Sequence, residues 1–384
     1  MRFLLRWQHV DPAARLHGEG GLLAAIEQLQ GFETAAGAIE NEVLLSRVSD
    51  YSPVMLDRLC LGGEVVWGRV SLKQNGQQNG ASLSAGRPSF SRATPITMVL
   101  RDSLDWVIGP TGQDSEGLTG AAKEVVEVLN RRGASFLSDI VSATQRLPSD
   151  VEEALWSLAA SGRVTVDGVE ALRQRLGGTA RRPRRPERNR RTGGSNNRSG
   201  LLRRRSYSRW SLLEPSDPVE DRGEPIARQL LARYGVVFPE LLARDALSYR
   251  WRDLVRVLRR LEARGEIRGG RFVSGFVGEQ FALPEAVEQL RKIKNTEPDG
   301  RFIAISACDP LNLAGITSPG PRVAAVVRNR LALRDGVPIA SMENGSFVPL
   351  ANLGPELMDQ AKTLLSVPIS HSGYPMDRPD LVTV

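Results

Sequence analysis

The sequence predicts an α+β protein in which tandem winged-helix domains are followed by a small β-barrel. Three stretches repeat one order of elements: a helix, a short helix, a capped helix and a hairpin bounded by glycines. In a winged helix the last helix can enter the major groove of DNA, and the hairpin forms the wing. After the third stretch the pattern changes to short strands, where Asp335-Gly336 and Asn344-Gly345 favour tight hairpin turns.

The first repeat runs from about residue 16 to residue 70. Ser52 is expected to be the N-cap of its last helix, with Pro53 at the first helical position. A Gly-Gly pair then ends the helix, and the segment EVVWGRV alternates like a strand. The polar insertion that follows, SLKQNGQQNGASLSAGRPSFSR, is predicted to be a loop.

The second repeat spans about residues 117 to 166. Its last helix opens with three carboxylates, Asp150, Glu152 and Glu153. Carboxylates at a helix N-terminus repel phosphate, so we expect this repeat to be structural and not to bind DNA.

The third repeat, about residues 217 to 275, carries the predicted DNA-binding surface. Its last helix is expected to start at the N-cap Ser248 and to stop at Gly265, with Trp251 and three leucines on one face. Arginines occupy the opposite face, and the hairpin EIRGGRFV is expected to turn at its Gly-Gly pair. The alternative is a solvated basic face on a structural helix. The predicted DNA-binding residues are Ser248, Arg250, Arg252, Arg256, Arg259, Arg260, Arg268 and Arg271.

The basic character of the chain comes from one segment. Residues 181–209 hold 12 arginines and a single acid, Glu187, whereas the remaining residues carry 39 basic and 43 acidic side chains, a net charge of −4. With two prolines and few apolar residues, the segment cannot bury enough surface to offset its ordering entropy, so we predict a disordered linker. Two interpretations stay open: a solvated spacer, or a tether that adds phosphate contacts without choosing a sequence.

These patterns divide the chain into six predicted parts. They are a first winged helix with its polar insertion at 1–110, a second at 111–178, the Arg-rich linker at 179–213, a third winged helix at 214–298, the β-barrel at 299–353 and a partly ordered tail at 354–384.

The sequence lacks the common enzyme signatures. None of its five lysines follows a glycine, so there is no GxxxxGK[ST] loop to hold ATP and Mg²⁺. No GxSxG elbow appears, and the two cysteines and three histidines lack the spacing of a metal site, so no cofactor or metal is expected on this chain. No apolar run approaches the roughly 18 residues of a membrane span, so we expect a cytoplasmic protein without a membrane partner.

Several long blocks resemble the C-terminal region of Lhr, a family of large bacterial helicase-related proteins. They include RLHGEGGLL, LDRLCLGGEVVWGR, GRFVSGFVGEQFALPEAVEQLR, ISACDPLNLAGI and NRLALRDGVPIA. The resemblance implies a superfamily 2, ATP-dependent 3′-to-5′ DNA helicase connected with DNA repair. Its helicase core, with ATP and Mg²⁺, would lie upstream of this chain. The implied partners are duplex or tailed-duplex DNA and that core, or a second copy of the chain.

The resemblance also extends in architecture to AlkZ-type DNA glycosylases, so base excision is an alternative function, and whether the chain is itself an enzyme stays open. Asp309 could supply a carboxylate at the barrel rim, or it could simply start an Asp-Pro turn. Gln28 and Gln30, with Leu29 between them, match the residue types of the Gln–aliphatic–Gln motif of AlkZ-type enzymes. Within a helix these side chains point about 200° apart, so they converge only if the helix ends there.

Glu279 and Gln280, between a strand and a helix, are a further option for base excision. A free-standing winged-helix regulator that binds DNA is a third possible function.

Overall fold

A computed structural model describes most of the chain. The described residues are 1–71, 89–108, 118, 120–177, 208–215, 217, 219, 221–242, 244–247 and 249–367. The predicted disordered segment falls almost entirely outside them. Within this part of the chain, no helix is long and apolar enough to cross a membrane.

The three predicted repeats are present, and each closes with a three-stranded antiparallel sheet. In every repeat the strand that follows the first helix pairs with the last wing strand, which lies between the other two. The orders are β1-β3-β2, β4-β6-β5 and β7-β9-β8. The three repeats therefore share one sheet topology.

The first winged helix follows a short N-terminal helix. Its wing strands are β2 and β3, and the polar insertion connects them. The elements are α1 (Arg2–Trp7), a 3₁₀ turn (Pro12–Ala14), α2 (Gly18–Leu29), β1 (Thr34–Ala35), α3 (Ala36–Ala38), a π-helix (Ile39–Leu44), α4 (Pro53–Leu61), β2 (Val65–Gly68), β3 (Pro95–Leu100), a second 3₁₀ turn (Arg101–Ser103) and α5 (Leu104–Val107).

The second winged helix extends further along the chain than the sequence suggested. Strand β6 pairs with β5 and β4, and its Trp210 lies against Trp156 with ring centroids 5.1 Å apart. The Arg-rich stretch thus connects α9 to β6 inside this domain and does not join it to the next. The elements are α6 (Gly120–Arg132), β4 (Ser135–Phe136), α7 (Leu137–Thr144), α8 (Pro148–Ala160), β5 (Val164–Val166), α9 (Val169–Arg175) and β6 (Arg209–Leu212).

The third winged helix repeats this arrangement and adds a C-terminal helix. Its core is formed by the apolar faces of α10 and α12, which pack against β7 and β9. The elements are α10 (Gly223–Tyr234), β7 (Val236–Val237), α11 (Pro239–Leu242), α12 (Trp251–Ala263), β8 (Arg268–Gly270), β9 (Gln280–Ala282) and α13 (Pro284–Lys294).

The last domain is an open sheet. Strands β10 (Phe302–Ser306), β11 (Arg330–Arg334), β12 (Val337–Glu343) and β13 (Ser346–Pro349) pair in chain order, and no closed barrel is present among the described residues. The two predicted turns are confirmed, because Asp335, Gly336, Asn344 and Gly345 all adopt positive φ.

Helices cover both faces of this sheet, which explains why it need not close on itself. Helix α14 (Pro355–Ser366) buries Ala361 and Leu365 against one face, and α1 packs Leu5 against the other. The first residues of the predicted tail are therefore helical, and residues 368–384 lie outside the described part.

One buried ion pair joins the first and last domains. The Arg47 guanidinium, which is 0% exposed, donates to both carboxylate oxygens of Asp309, at 2.6 and 3.0 Å. Arg47 also donates to Gln8 Oε1 at 2.9 Å and to the carbonyl of Val43. A charge removed from water needs such partners, so the domains are fixed relative to each other.

Removing one member of this pair should destabilise the whole chain. Asp309→Asn leaves the Arg47 charge buried without a counter-ion, which costs about 3–5 kcal/mol of unfolding free energy in comparable pairs. We expect its urea unfolding midpoint to fall well below that of the wild type. The control Asp359→Asn alters an exposed carboxylate paired with Lys362 and should leave the midpoint nearly unchanged. Equal midpoints for all three proteins would contradict the structural role of the pair.

Candidate nucleic-acid interface

Helix α12 has the two faces that the sequence predicts. Leu254, Leu258 and Leu261 are fully buried, and Trp251 is half-buried against the same core. The opposite face is exposed and carries the predicted arginines. The helix begins at Trp251 with Arg250 at the N-cap position, whereas the predicted cap, Ser248, lies outside the described residues.

The wing turns later than predicted. Gly269 and Gly270 lie within β8 and pair with β9, so the turn is the longer loop 271–279. The buried Gln280 explains this, because its side chain accepts the backbone N–H groups of Phe272 and Val273 and donates to the carbonyl of Val273. As a result Arg268 lies on a strand, and Arg271 begins the wing loop.

Some arginines of this domain are neutralised by neighbouring carboxylates. Arg256 pairs with Asp253 at 3.2 Å, and Arg259 pairs with Glu279 of the wing at 2.8 Å. Arg260 lies 4.0 Å from Asp221, too far for a hydrogen bond. Arg256 and Arg259 must therefore exchange a protein partner before they can bind phosphate.

Other arginines have no such partner. In the part of the chain that the structure describes, four of the predicted residues make no ion pair or side-chain hydrogen bond. We call them the open arginines: Arg250, Arg252, Arg268 and Arg271. All four are exposed, two at the start of α12 and two on the wing. They are the cations most readily available to a phosphate backbone.

A second basic cluster of the same domain is occupied by acids. Arg228 and Arg264 both donate to Glu224, and both also contact Glu266. Hydrogen bonds from these two arginines hold the pKa of Glu224 below its ordinary value. At neutral pH the two arginines and two glutamates of this network are all charged, and their charges balance. The open arginines have no such balancing carboxylates in the described part of the chain.

The corresponding helices of the other two winged helices are partly covered by neighbouring domains, although Val54, Arg58 and Leu61 of α4 remain exposed. On α4, Asp57 is paired with Arg173 of α9 at 2.9 Å, and Arg173 also donates to the carbonyl of Pro53. Helix α8 is buried along much of its length, and its Trp156 stacks on Trp67 with ring centroids 6.4 Å apart. Both helices contribute to the contact between the first two domains.

The glutamines proposed for base excision lie between domains. Helix α2 ends at Leu29, as their convergence requires, but the amide of Gln28 donates to the carbonyls of Trp7 and Ala232. The amide of Gln30 donates to Gln229 Oε1 at 3.2 Å. Both amides therefore fasten the third winged helix to the N-terminal part of the chain.

The other candidates for base excision are also held by protein contacts. Asp309 is 1% exposed, with both oxygens bound by Arg47, and its Oδ1 accepts the N–H of Leu311 as in an Asx turn. Glu279 is paired with Arg259, and Gln280 organises the wing. The structure does not bring these residues and the two glutamines together in one pocket.

Sequence reasoning missed one feature of the interface, the tip of the wing. Val277 projects from the loop 271–279 and is 86% exposed. The signal was present in SGFVGEQ, where two glycines flank an aromatic and an aliphatic residue. The Gly269-Gly270 pair gives a stronger local turn signal than SGFVGEQ does, so the sequence predicts a shorter wing than the structure has.

Comparison with known proteins supports the resemblance. Residues 1–83 and 216–302 match two winged-helix domain families of the large helicase-related protein, the third and fourth of its series. A protein of Mycolicibacterium smegmatis named Lhr helicase/probable uracil glycosylase is 29% identical over 90% of this chain and 23% of its own length. The Lhr helicase/uracil glycosylase of Escherichia coli is 29% identical over 79% of this chain and 20% of its own length. The chain thus spans less than a quarter of the curated relatives that it matches.

The open arginines should contribute more to DNA binding than the compensated ones. We expect Arg250→Ala/Arg252→Ala to weaken duplex binding several-fold. Because each lost phosphate contact removes about 0.9 from the slope of log K against log salt, the slope should fall by about 1.8. Fluorescence anisotropy with a labelled duplex at several salt concentrations measures both quantities.

The matched control is Arg228→Ala/Arg264→Ala, which removes the same charge from the compensated cluster. Its salt slope should stay near that of the wild type. If the two double variants lost affinity equally, net charge and not the position of the arginines would determine binding.

Proposed function

We propose that the chain is a helicase-associated DNA-binding module of the large helicase-related family, because two of its segments match winged-helix domain models of that family. The third winged helix holds duplex or tailed-duplex DNA, with α12 in the major groove and the wing alongside it. The observation that supports this most is the set of open arginines on α12 and the wing, which lack acidic partners among the described residues.

The contacts that α4 and α8 make with neighbouring domains support the same assignment, because these contacts occupy part of each helix surface. The exposed first turn of α8 carries Asp150 and Glu153, which repel phosphate. The first two winged helices then act as a platform that orients the third, through contacts such as Gln30 with Gln229. Their role in this proposal is positional.

The motor belongs to the longer proteins of the family. In this proposal a helicase core hydrolyses ATP and moves 3′-to-5′ along the DNA. The present chain binds the DNA during repair. The sequence of this chain holds no phosphate-binding loop that could serve as the motor. Such a module would work in the cytoplasm, in contact with that core or with a second copy of itself.

Uracil excision is the second candidate function, and the names of both relatives favour it. Three candidate residues for this chemistry, Asp309, Gln28 and Gln30, all make contacts that hold domains together. If the activity is present, we therefore expect variants of these residues to lose it only together with folding.

One experiment separates the two functions. The purified chain is mixed with labelled duplexes that contain either uracil or only normal bases, and each mixture is examined for binding and, after hot alkali, for strand cleavage. The module proposal predicts binding to both duplexes that weakens steeply with salt. Cleavage at uracil would establish the glycosylase function in addition, and absence of binding to either duplex would contradict the DNA-binding proposal.

A further inference from the structure

The tip of the third wing exposes an apolar side chain. Val277 is the most exposed large hydrophobic residue in the described part of the chain. Gly275 and Gly278 flank the tip with φ of +90° and +102°, a backbone that only glycine adopts easily. These two glycines make the sharp bends that turn Phe276 inward and Val277 outward.

The loop that carries Val277 is anchored at three points. Gln280 holds Phe272 and Val273 through backbone hydrogen bonds of 2.7–2.8 Å. The ring of Phe276 packs on the buried Phe238, with centroids 4.4 Å apart. Arg259 of α12 binds Glu279 at the other end of the loop. An anchored loop cannot fold its tip back onto the domain, so Val277 is held out toward solvent.

The surroundings of the tip favour a polyanion as its partner. Arg271 begins the same loop, and Arg268 lies on the adjoining strand, both exposed and both among the open arginines. A wing with an exposed apolar tip and two unpaired arginines at its base matches the minor groove of DNA. There the arginines can reach the phosphates while an apolar side chain lies against the base edges.

We propose that Val277 is a wedge that enters the minor groove of duplex DNA and partly unstacks one base step. This inference rests on the proposed DNA-binding function and adds a mode of action to it. Apolar side chains inserted in this way kink the duplex, and pyrimidine–purine steps such as TA open most easily. The wing would then deform the DNA that α12 holds.

Fluorescence of 2-aminopurine tests the wedge, because this base brightens when it is unstacked. The probe is a duplex of repeated TA steps with 2-aminopurine in place of some adenines, so that every binding register presents a flexible step. We expect the wild-type chain to raise the fluorescence on binding. Val277→Ser should abolish most of that rise and weaken affinity by about 3–10-fold. Its salt slope should not change, because no charge is removed.

Two further variants make the result specific. Val277→Leu keeps an apolar tip and should retain the rise in fluorescence. Val337→Ser changes another exposed valine, on β12 of the last domain, and should behave like the wild type. Both positions are on the surface, so circular dichroism spectra should be unchanged.

The outcomes distinguish the wedge proposal from the DNA-binding proposal on which it rests. If the wild type binds the duplex without brightening it, or if Val277→Ser brightens it equally, the wedge is overturned while DNA binding stands. If the wild type does not bind the duplex, the proposed function fails and the wedge fails with it. If the tip instead contacts a protein partner, the wild type should bind the duplex without raising the 2-aminopurine fluorescence.

Discussion

The arrangement of the domains depends on the ion pair between Arg47 and Asp309. The two residues are 262 positions apart in the chain, and both are almost completely removed from water. A buried guanidinium without its carboxylate is strongly unfavourable, so the last domain has to dock where Asp309 meets Arg47. Gln8 completes the site from the N-terminal segment, which gives three distant parts of the chain one shared set of contacts.

The docking of the domains determines which of their surfaces remain exposed. The first and second winged helices use α4, α9 and the Trp67–Trp156 stack to hold each other. The third is attached through its first helix, where Gln229 and Arg233 bind the N-terminal domain. Helix α12 and the wing of this domain consequently face outward. Three copies of one fold thus expose different surfaces, because each buries a different side.

Local patterns predicted the elements well, and long-range pairings explain the errors. The 3.6-residue period of Leu254, Leu258 and Leu261 correctly indicated the buried face of α12. Strand β6 was assigned to a linker because its pairing with β5 spans the Arg-rich stretch, and no local signal reports such a partner. The wing turn was misplaced because Gln280, which shapes it, lies seven or eight residues beyond the groups that it binds. Likewise, Asp309 was a candidate catalytic carboxylate because its partner Arg47 lies 262 positions away in the sequence, where no local pattern indicates the contact.

Hydrogen–deuterium exchange with and without duplex DNA is the most direct test of the claim that the third winged helix alone grips the nucleic acid. The account predicts slower exchange on DNA binding at the start of α12 and in the wing loop 271–279. Exchange in α4 and α8 should stay the same, since the proposal gives these two helices no contact with DNA. Protection of α4 or α8 with none in α12 would contradict the account.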